Sequence, residues 1–217
     1  MKKARICAAI VNNDIILIKE NEHDVDLFEV RIDLIGAQWP DLVKLLKKPW
    51  IACNRSEDEG GKGNPDLIKR EEELLWAAET GACIVDLEYR TKNLSDIVPQ
   101  IKARTKCLLS FHDLVGTPSY EILVGIVEGQ IKAGADYCKV VTTAQVFEDN
   151  LTVLKLIKAF PEVKLTAMAM GDEGRVSRIL GPLAGGYLTY ASLASGNESA
   201  PGQMTVKELR RTYELLR

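Results

Sequence analysis

Short apolar, β-prone segments recur along the chain at intervals of roughly 20 to 30 residues. Each has the length and composition of a strand that is buried on both faces. The pattern predicts eight strands, at residues 5–11, 26–32, 50–55, 82–88, 106–112, 136–141, 163–169 and 186–192.

Between these segments the apolar positions follow a helical period. In the clearest case, residues 66–82, Leu67, Leu74 and Ala78 fall on one side, and Gly81 provides a C-terminal stop. The pattern predicts three further amphipathic helices, at residues 119–135, 150–160 and 205–217. The connection after the first strand has no clear pattern.

Strands that alternate with helices predict a parallel sheet. Eight such units in 217 residues fit an α/β fold of the compact (β/α)8, or TIM, barrel type. Because no low-complexity linker interrupts the chain, residues 1–217 are expected to form a single barrel domain. A doubly wound open sheet is the alternative, although neither a G-x-G-x-x-G motif after the first strand nor a P-loop supports nucleotide binding.

Charge and hydropathy exclude two classes of partner. The formal net charge of −3 and the pI of about 5.6 provide no basic field for nucleic acid. No run of 18 apolar residues exists, so no membrane span is predicted. The N-terminal apolar stretch, residues 6–11, is shorter than the apolar region of a signal peptide and is better interpreted as the first strand.

Cysteine and histidine usage indicates a reducing cytoplasm and no metal site. The chain has five cysteines, an odd number, and none are spaced as C-x-x-C. It has only two histidines, too few for a His-rich metal site, and no cysteine cluster replaces them.

Large polar or polarisable side chains mark the ends of the predicted strands. In a barrel, these ends converge on the C-terminal face, where barrel active sites lie. The residues are Glu29, Arg31, Arg55, Asp86, Glu88, His112, Lys139, Met168 and Met170.

Lys139 lies in an apolar segment, late in the sixth predicted strand. A buried lysine needs a partner or a function. Because desolvation disfavours the ammonium ion, such a lysine is expected to tend toward the free amine, which can attack a ketone and form a Schiff base. Alternatively, Lys139 marks the strand end and its ammonium group reaches water.

His112 precedes Lys139 by 27 residues, about one βα unit, which predicts neighbouring strands. A base beside an imine-forming lysine can remove a proton α to a carbonyl carbon. The alternative is a histidine that bonds only to loop backbone. His23, in a charged segment, is expected to be exposed.

Three loops after predicted strands offer further polar groups. After the third strand, Arg55 could clamp an oxygen-rich substrate and Glu59 could orient the histidine. The later loops provide Arg175, Arg178, Ser199 and Gln203, which suit hydroxyls and carboxylates. The alternatives for the last two are a turn residue and a first-turn helix residue.

These residues lie in motifs that resemble the type I 3-dehydroquinases over nearly the whole chain. The resemblance implies a (β/α)8 barrel that dehydrates 3-dehydroquinate to 3-dehydroshikimate through an imine, in the shikimate pathway that leads to the aromatic amino acids. The motifs are FEVRID (28–33), NRSEDEGG (54–61), DLE (86–88), FHDLVGTPS (111–119), CKVV (138–141), AMAMGDEGRVSRILG (167–181) and SAPGQ (199–203).

The resemblance also implies roles for individual residues. Lys139 matches the imine lysine, His112 the general acid and base, and Glu59 the carboxylate that partners the histidine. Arg178 matches the arginine that binds the substrate carboxylate. The other matching positions bind substrate, close over it or line the pocket: Glu29, Arg31, Arg55, Ser199, Gln203, Met168, Met170 and Tyr190, where the aromatic is often Phe.

One departure from the family is Ala8, where some members have a serine near the substrate. The resemblance implies a homodimer. It also implies that no cofactor is needed, because the lysine supplies the electron sink. Two other functions stay open: a class I Schiff-base aldolase, and a non-catalytic barrel that binds a carboxylate metabolite. The loop with Ser199 and Gln203, together with Arg178, favours a small polyhydroxy carboxylate over a sugar phosphate.

Overall fold

Strands and helices alternate throughout the computed structural model, which describes residues 4–216. All eight predicted strands are confirmed, with ends within three residues of the predicted ones. The strands are β1 (Ile6–Ile10), β2 (Leu27–Arg31), β3 (Trp50–Cys53), β4 (Ile84–Glu88), β5 (Lys106–His112), β6 (Tyr137–Thr143), β7 (Leu165–Met170) and β8 (Thr189–Ser192).

The predicted helices are also confirmed, and the unclear first connection contains a short one. Asp66 caps the clearest helix by accepting from the backbone of Ile68, and Gly81 follows it with a positive φ of 110°. None of the helices within residues 4–216 is long and apolar enough to cross a membrane. They are α1 (Ile15–Asn21), α2 (Ile32–Ile35), α3 (Trp39–Val43), α4 (Leu67–Glu79), α5 (Leu94–Lys102), α6 (Tyr120–Lys132), α7 (Glu148–Ala159), α8 (Arg175–Leu183) and α9 (Val206–Leu215).

The strands form one parallel sheet in the order β7-β6-β5-β4-β3-β2-β1-β8. The sheet curls until its two edges meet, where the backbone N–H of Tyr187 donates to the carbonyl of Leu165 over 2.7 Å. The fold is therefore a nearly closed (β/α)8 barrel, as predicted. A doubly wound open sheet is wrong.

Alternation along each strand separates the barrel interior from the layer beneath the helices. Cys7, Leu27 and Ile51 pack inside the barrel, whereas Ala8 and its outward-facing neighbours pack against the helices. The suggestion that Ala8 lies at a substrate contact is therefore wrong. Because Cys7 points inward, the inward residue above it on β1 is Ala9, which pairs in register with Glu29.

Candidate active site

A cavity of about 280 Å³ opens at the carboxyl ends of the strands. The structure brings every predicted site residue to its wall, although their roles in binding and catalysis stay predictions. The predicted residues that line it are Glu29, Arg31, Arg55, Glu59, His112, Lys139, Met168, Met170, Arg178, Tyr190, Ser199 and Gln203.

Lys139 lies deeper in the barrel than the sequence suggested. It is the third residue of β6, which continues to Thr143, and only 5% of its surface is exposed. Its Nζ donates to Glu29 Oε1 over 3.1 Å and to Asp86 Oδ2 over 3.0 Å. It also lies 4.1 Å from the ring centroid of Tyr190. The alternative interpretation, in which Lys139 marks the strand end and its ammonium group reaches water, is therefore wrong.

The two carboxylates decide the charge of Lys139. Burial alone would lower the pKa of its ammonium group, but Asp86 and Glu29 raise that pKa above its ordinary value. The expected tendency toward a free amine is therefore wrong for the resting site. Lys139 rests as an ammonium ion, so it must give up a proton before its nitrogen can attack a carbonyl carbon.

Asp86 belongs to the site, although its sequence context predicted only a polar strand end and a place in the DLE motif. Besides Lys139, it contacts Arg55 Nη2 at 2.7 Å and accepts from Ser110 Oγ over 2.6 Å. Burial would raise the pKa of Asp86, but Arg55 and Lys139 hold it well below its usual range. The available signal was that Asp86 follows two apolar residues in the middle of β4, where a carboxylate is buried.

His112 and Glu59 form a buried pair beside this cluster. His112 Nδ1 lies 2.7 Å from Glu59 Oε2, as the resemblance implied. Glu59 ends a 3-10 turn, Glu57–Glu59, and Gly60 follows with a φ of 82°, a left-handed conformation that favours glycine. The preceding acidic residues, Glu57 and Asp58, are exposed.

Burial sets the protonation of this pair. It raises the pKa of Glu59 to about 7, while burial together with Arg55 and Lys139 lowers the pKa of His112. As pH falls through about 7, the pair therefore binds one proton more than neutral His112 and ionised Glu59 carry, and the two residues share it. With Glu59 ionised, the Nδ1–H of neutral His112 donates to the carboxylate and Nε2 is free to act as a base.

Arg178 is buried without an acidic partner in the described part of the chain. It is 2% exposed, and its guanidinium contacts only Met168 Sδ at 3.4 Å and the Pro201 carbonyl at 3.1 Å. Its Nε has no partner. Burial lowers its pKa to about 10, so it remains charged at neutral pH. A buried unpaired cation of this kind fits an anionic ligand.

Acidic partners already neutralise three other arginines, Arg31, Arg55 and Arg175. Arg31 donates from Nε and Nη2 to both oxygens of Asp33, over 2.9 and 2.7 Å. Arg55 contacts Asp86 and donates to Ser110 Oγ. Arg175, the alternative to Arg178 on the same helix, is exposed and pairs with Asp172. Arg178 is therefore the cation most available to an incoming carboxylate.

The loop after β8 packs against the turn after β7 at the pocket rim. Gln203 Oε1 accepts from the backbone N–H of Ser199 over 2.7 Å, and the carbonyl of Pro201 accepts from Gly171 over 3.2 Å. At Gly202, with a φ of 73°, an added Cβ would lie 2.1 Å from the Gly171 carbonyl oxygen, so only glycine fits.

Three buried groups around Lys139 lie close enough together to hold a metal ion. Ligand atoms of Glu29, Cys53 and Asp86 fall within 4.8 Å of one another. Lys139 and Arg55 already occupy these carboxylates, so a metal would have to displace an ammonium ion. The expectation that no metal or cofactor is needed stays a prediction.

Fold and site together define a barrel of the enzyme type, with an amine, a histidine–carboxylate pair and an unpaired arginine at the carboxyl ends of its strands. Residues 6–217 match the family model described as type I 3-dehydroquinase. The chain belongs to this family, and the family resemblance of its sequence motifs is confirmed.

Named relatives and solved structures agree with this membership. A 3-dehydroquinate dehydratase of Dehalococcoides mccartyi is 39% identical over 213 residues, which cover 98% of this chain and 96% of the relative. One of Methanocaldococcus jannaschii is 37% identical over 201 residues, which cover 88% of this chain and 87% of the relative.

Two solved 3-dehydroquinate dehydratases have the same barrel fold. The type I 3-dehydroquinate dehydratase of Clostridium difficile, solved with covalently modified comenic acid, superposes with a TM-score of 0.87 at 25% identity, covering 100% of this chain and 93% of that one. The 3-dehydroquinate dehydratase of Geobacillus kaustophilus gives a TM-score of 0.87 at 27% identity, covering 99% and 91%.

Proposed function

We propose that this chain is a type I 3-dehydroquinate dehydratase, a hydro-lyase that converts 3-dehydroquinate to 3-dehydroshikimate through an imine on Lys139. One observation carries the proposal. A single buried pocket holds an amine between two carboxylates, a histidine–carboxylate pair and an arginine with no acidic partner. The substrate needs each of these groups, because it has a ketone, an acidic α-proton and a carboxylate.

The proposed chemistry assigns one task to each group. Lys139 gives up a proton and its nitrogen attacks the C3 carbonyl carbon; the ketone oxygen takes up two protons, that one and one from the amine, and leaves as water, which gives the iminium form of the imine. His112 Nε2 then removes a proton from C2, and the electrons flow into the iminium nitrogen as an enamine. The C1 hydroxyl leaves as water, protonated by the same histidine, and hydrolysis of the imine releases the product. Arg178 holds the carboxylate at C1.

The direct test is to add 3-dehydroquinate to the purified protein and record ultraviolet absorbance. The conjugated enone of the product absorbs where the substrate does not. A class I aldolase would instead cleave a carbon–carbon bond, and a non-catalytic barrel would bind the carboxylate with no spectral change. The intact pair of Lys139 and His112 argues against the latter.

Substitution of Arg178 by lysine is expected to raise KM by about 10²-fold, because an ammonium ion cannot form the bidentate pair that a carboxylate accepts from a guanidinium. The fold should persist, since Arg178 has no ion pair to lose. Steady-state kinetics of Arg178→Lys and of the matched control Arg175→Lys, on the exposed side of α8, test this. Unchanged kinetics of the first variant would move the carboxylate site elsewhere.

The pH dependence of kcat/KM should report the shared proton of His112 and Glu59. As pH falls through about 7, the pair takes up that proton and Nε2 loses its basicity, so kcat/KM should fall by about tenfold per pH unit below the midpoint. In Glu59→Gln the carboxylate no longer titrates, and the limb should move to lower pH because burial and neighbouring cations lower the pKa of His112. A flat wild-type profile between pH 6 and 8 would contradict the assignment.

We infer that the barrel is a single catalytic domain, supported by the family match over residues 6–217. Homodimer formation is supported only by the resemblance to the family. A cytoplasmic location is supported by the cysteines, all five of which are free thiols.

A further inference from the structure

Arg70 on helix α4 does not line the pocket, yet it belongs to a buried ion cluster that reaches the pocket. Its Nη2 donates to Glu88 Oε2 over 2.8 Å, and both residues are buried. The proposed chemistry uses neither residue. A buried charge pair between a helix and a strand end needs an explanation, because desolvation of the two ions offsets much of their attraction.

The second oxygen of Glu88 fixes the turn that carries Glu59. Glu88 Oε1 accepts from the backbone N–H of Ser56 over 2.8 Å and lies 3.5 Å from Arg55 Nη1. The carbonyl of Ser56 in turn accepts from the N–H groups of Glu59 and Gly61, over 3.2 and 2.8 Å. The contacts therefore run without a gap from Arg70 to the carboxylate that pairs with His112.

Arg70 also packs against the loop that carries Glu59. The N–H of Gly63 donates to the Arg55 carbonyl over 2.7 Å as the loop returns toward α4. A Cβ added at Gly63 would lie 2.6 Å from that carbonyl oxygen and 3.1 Å from Arg70 Cδ. The side chain of Arg70 thus packs against the loop as well as holding Glu88.

We propose that Arg70 is a positioning residue, which acts through Glu88 and Ser56 to set the geometry and charge around the His112–Glu59 pair. Only the kinetic test of this inference rests on the proposed function; the NMR test does not. Several charged groups face the pair from the strands and loops packed around it: Arg31, Arg55, Asp86, Glu88, Arg90 and Lys139. Arg70 connects this set to helix α4 through its ion pair with Glu88.

The two histidines make a direct measurement possible. His112 belongs to the pair, whereas the side chain of His23 is 76% exposed and serves as an internal reference. In Arg70→Gln, Glu88 keeps its negative charge with less compensation, so the pair should hold its proton to higher pH. We expect the NMR titration midpoint of His112 to rise by roughly 0.5 units or more, with that of His23 unchanged.

The variant should change kcat and KM by different factors, which general destabilisation of the fold would not do. In Arg70→Gln, kcat should fall about tenfold because the base is displaced, while KM stays within about twofold because Arg178 is untouched. The acid limb of kcat/KM should move with the NMR midpoint. Arg70→Lys keeps the charge and should return the midpoint to the wild-type value, with kcat within about threefold of wild type.

Glu71→Gln is the matched control, since Glu71 neighbours Arg70 on α4, is also buried, and accepts from Asn93 away from the pocket. It should leave midpoint and kcat unchanged. The proposal is overturned if Arg70→Gln leaves the His112 midpoint in place, or if the control changes kcat as much. Should Arg70→Gln not fold, Arg70→Met replaces it, because it removes the charge and keeps a long side chain against the loop; a His112 midpoint equal to that of the control would then overturn the proposal. Failure of the wild type to dehydrate the substrate would refute the proposed function, while the NMR result would still decide the role of Arg70.

Discussion

Replacement of Lys139 by alanine is expected to lower kcat at least about 10⁵-fold, as in other covalent enzymes that lose their nucleophile. Alanine has no amine, so no imine forms and the C2 proton keeps the weak acidity of a simple ketone. The loss should appear in kcat more than in KM, because Arg178, the proposed carboxylate site, is unchanged. Borohydride added with substrate should reduce the wild-type imine, inactivate the enzyme and leave a mass adduct on Lys139.

The fold needs its own control, because Glu29 and Asp86 lose their shared cation in this variant. Removing one partner of a buried ion pair costs about 3–5 kcal/mol. Lys139→Arg keeps a cation between the carboxylates, yet a guanidinium stays protonated and cannot form the imine. Both variants should therefore be inactive, while Lys139→Arg stays close to the wild type in thermal unfolding.

Lys164 provides the matched lysine for the trapping experiment. Its Nζ also lies over a tyrosine ring, that of Tyr137, at 4.8 Å, but just before the start of β7, away from the pocket. Lys164→Ala should keep full activity and full trapping on Lys139. A borohydride adduct on any lysine other than Lys139 would refute the imine assignment.

The sequence predicted the strands because their signal is local. A parallel strand buried on both faces is a short apolar run, and eight such runs with helices between them leave few topologies other than a barrel. The strand ends then meet on one face, so His112 and Lys139 could be placed side by side from their spacing alone. The family motifs assigned roles to Glu59 and Arg178, which follow β3 and β7 in segments whose sequence pattern only suggested those roles.

The charge of Lys139 could not be predicted from its own segment. Burial in an apolar strand favours a free amine, but Glu29 is 110 residues away in sequence and Asp86 is 53 residues away. Only the closed barrel brings both carboxylates to within 3.1 Å of Nζ. The position expected for Ala8 near the substrate was wrong for a different reason: a shift of one residue along a strand moves the side chain to the opposite face.

Replacement of His112 by alanine is expected to lower kcat by about 10⁴-fold or more, the upper end of the range for general acid–base catalysis. One histidine serves several proton transfers in the proposed cycle, so its loss slows each of them. Unlike Lys139→Ala, this variant keeps the amine. It should therefore form imine slowly with the product and accumulate it, so borohydride should trap an adduct on Lys139 in His112→Ala and none in Lys139→Ala.

His23→Ala is the matched control for this variant, because His23 is exposed and far from the pocket, and it should leave kcat unchanged. The acid limb of kcat/KM separates two explanations for any activity left in His112→Ala. If His112 is the base, the residual rate should no longer fall as pH drops through about 7. If His112 only orients the loop, activity should stay within about tenfold of wild type and the limb should persist, because Glu59 itself titrates there. That outcome would make Glu59 or Glu88 the base and refute the role assigned to His112, while leaving the barrel, the imine lysine and the family unchanged.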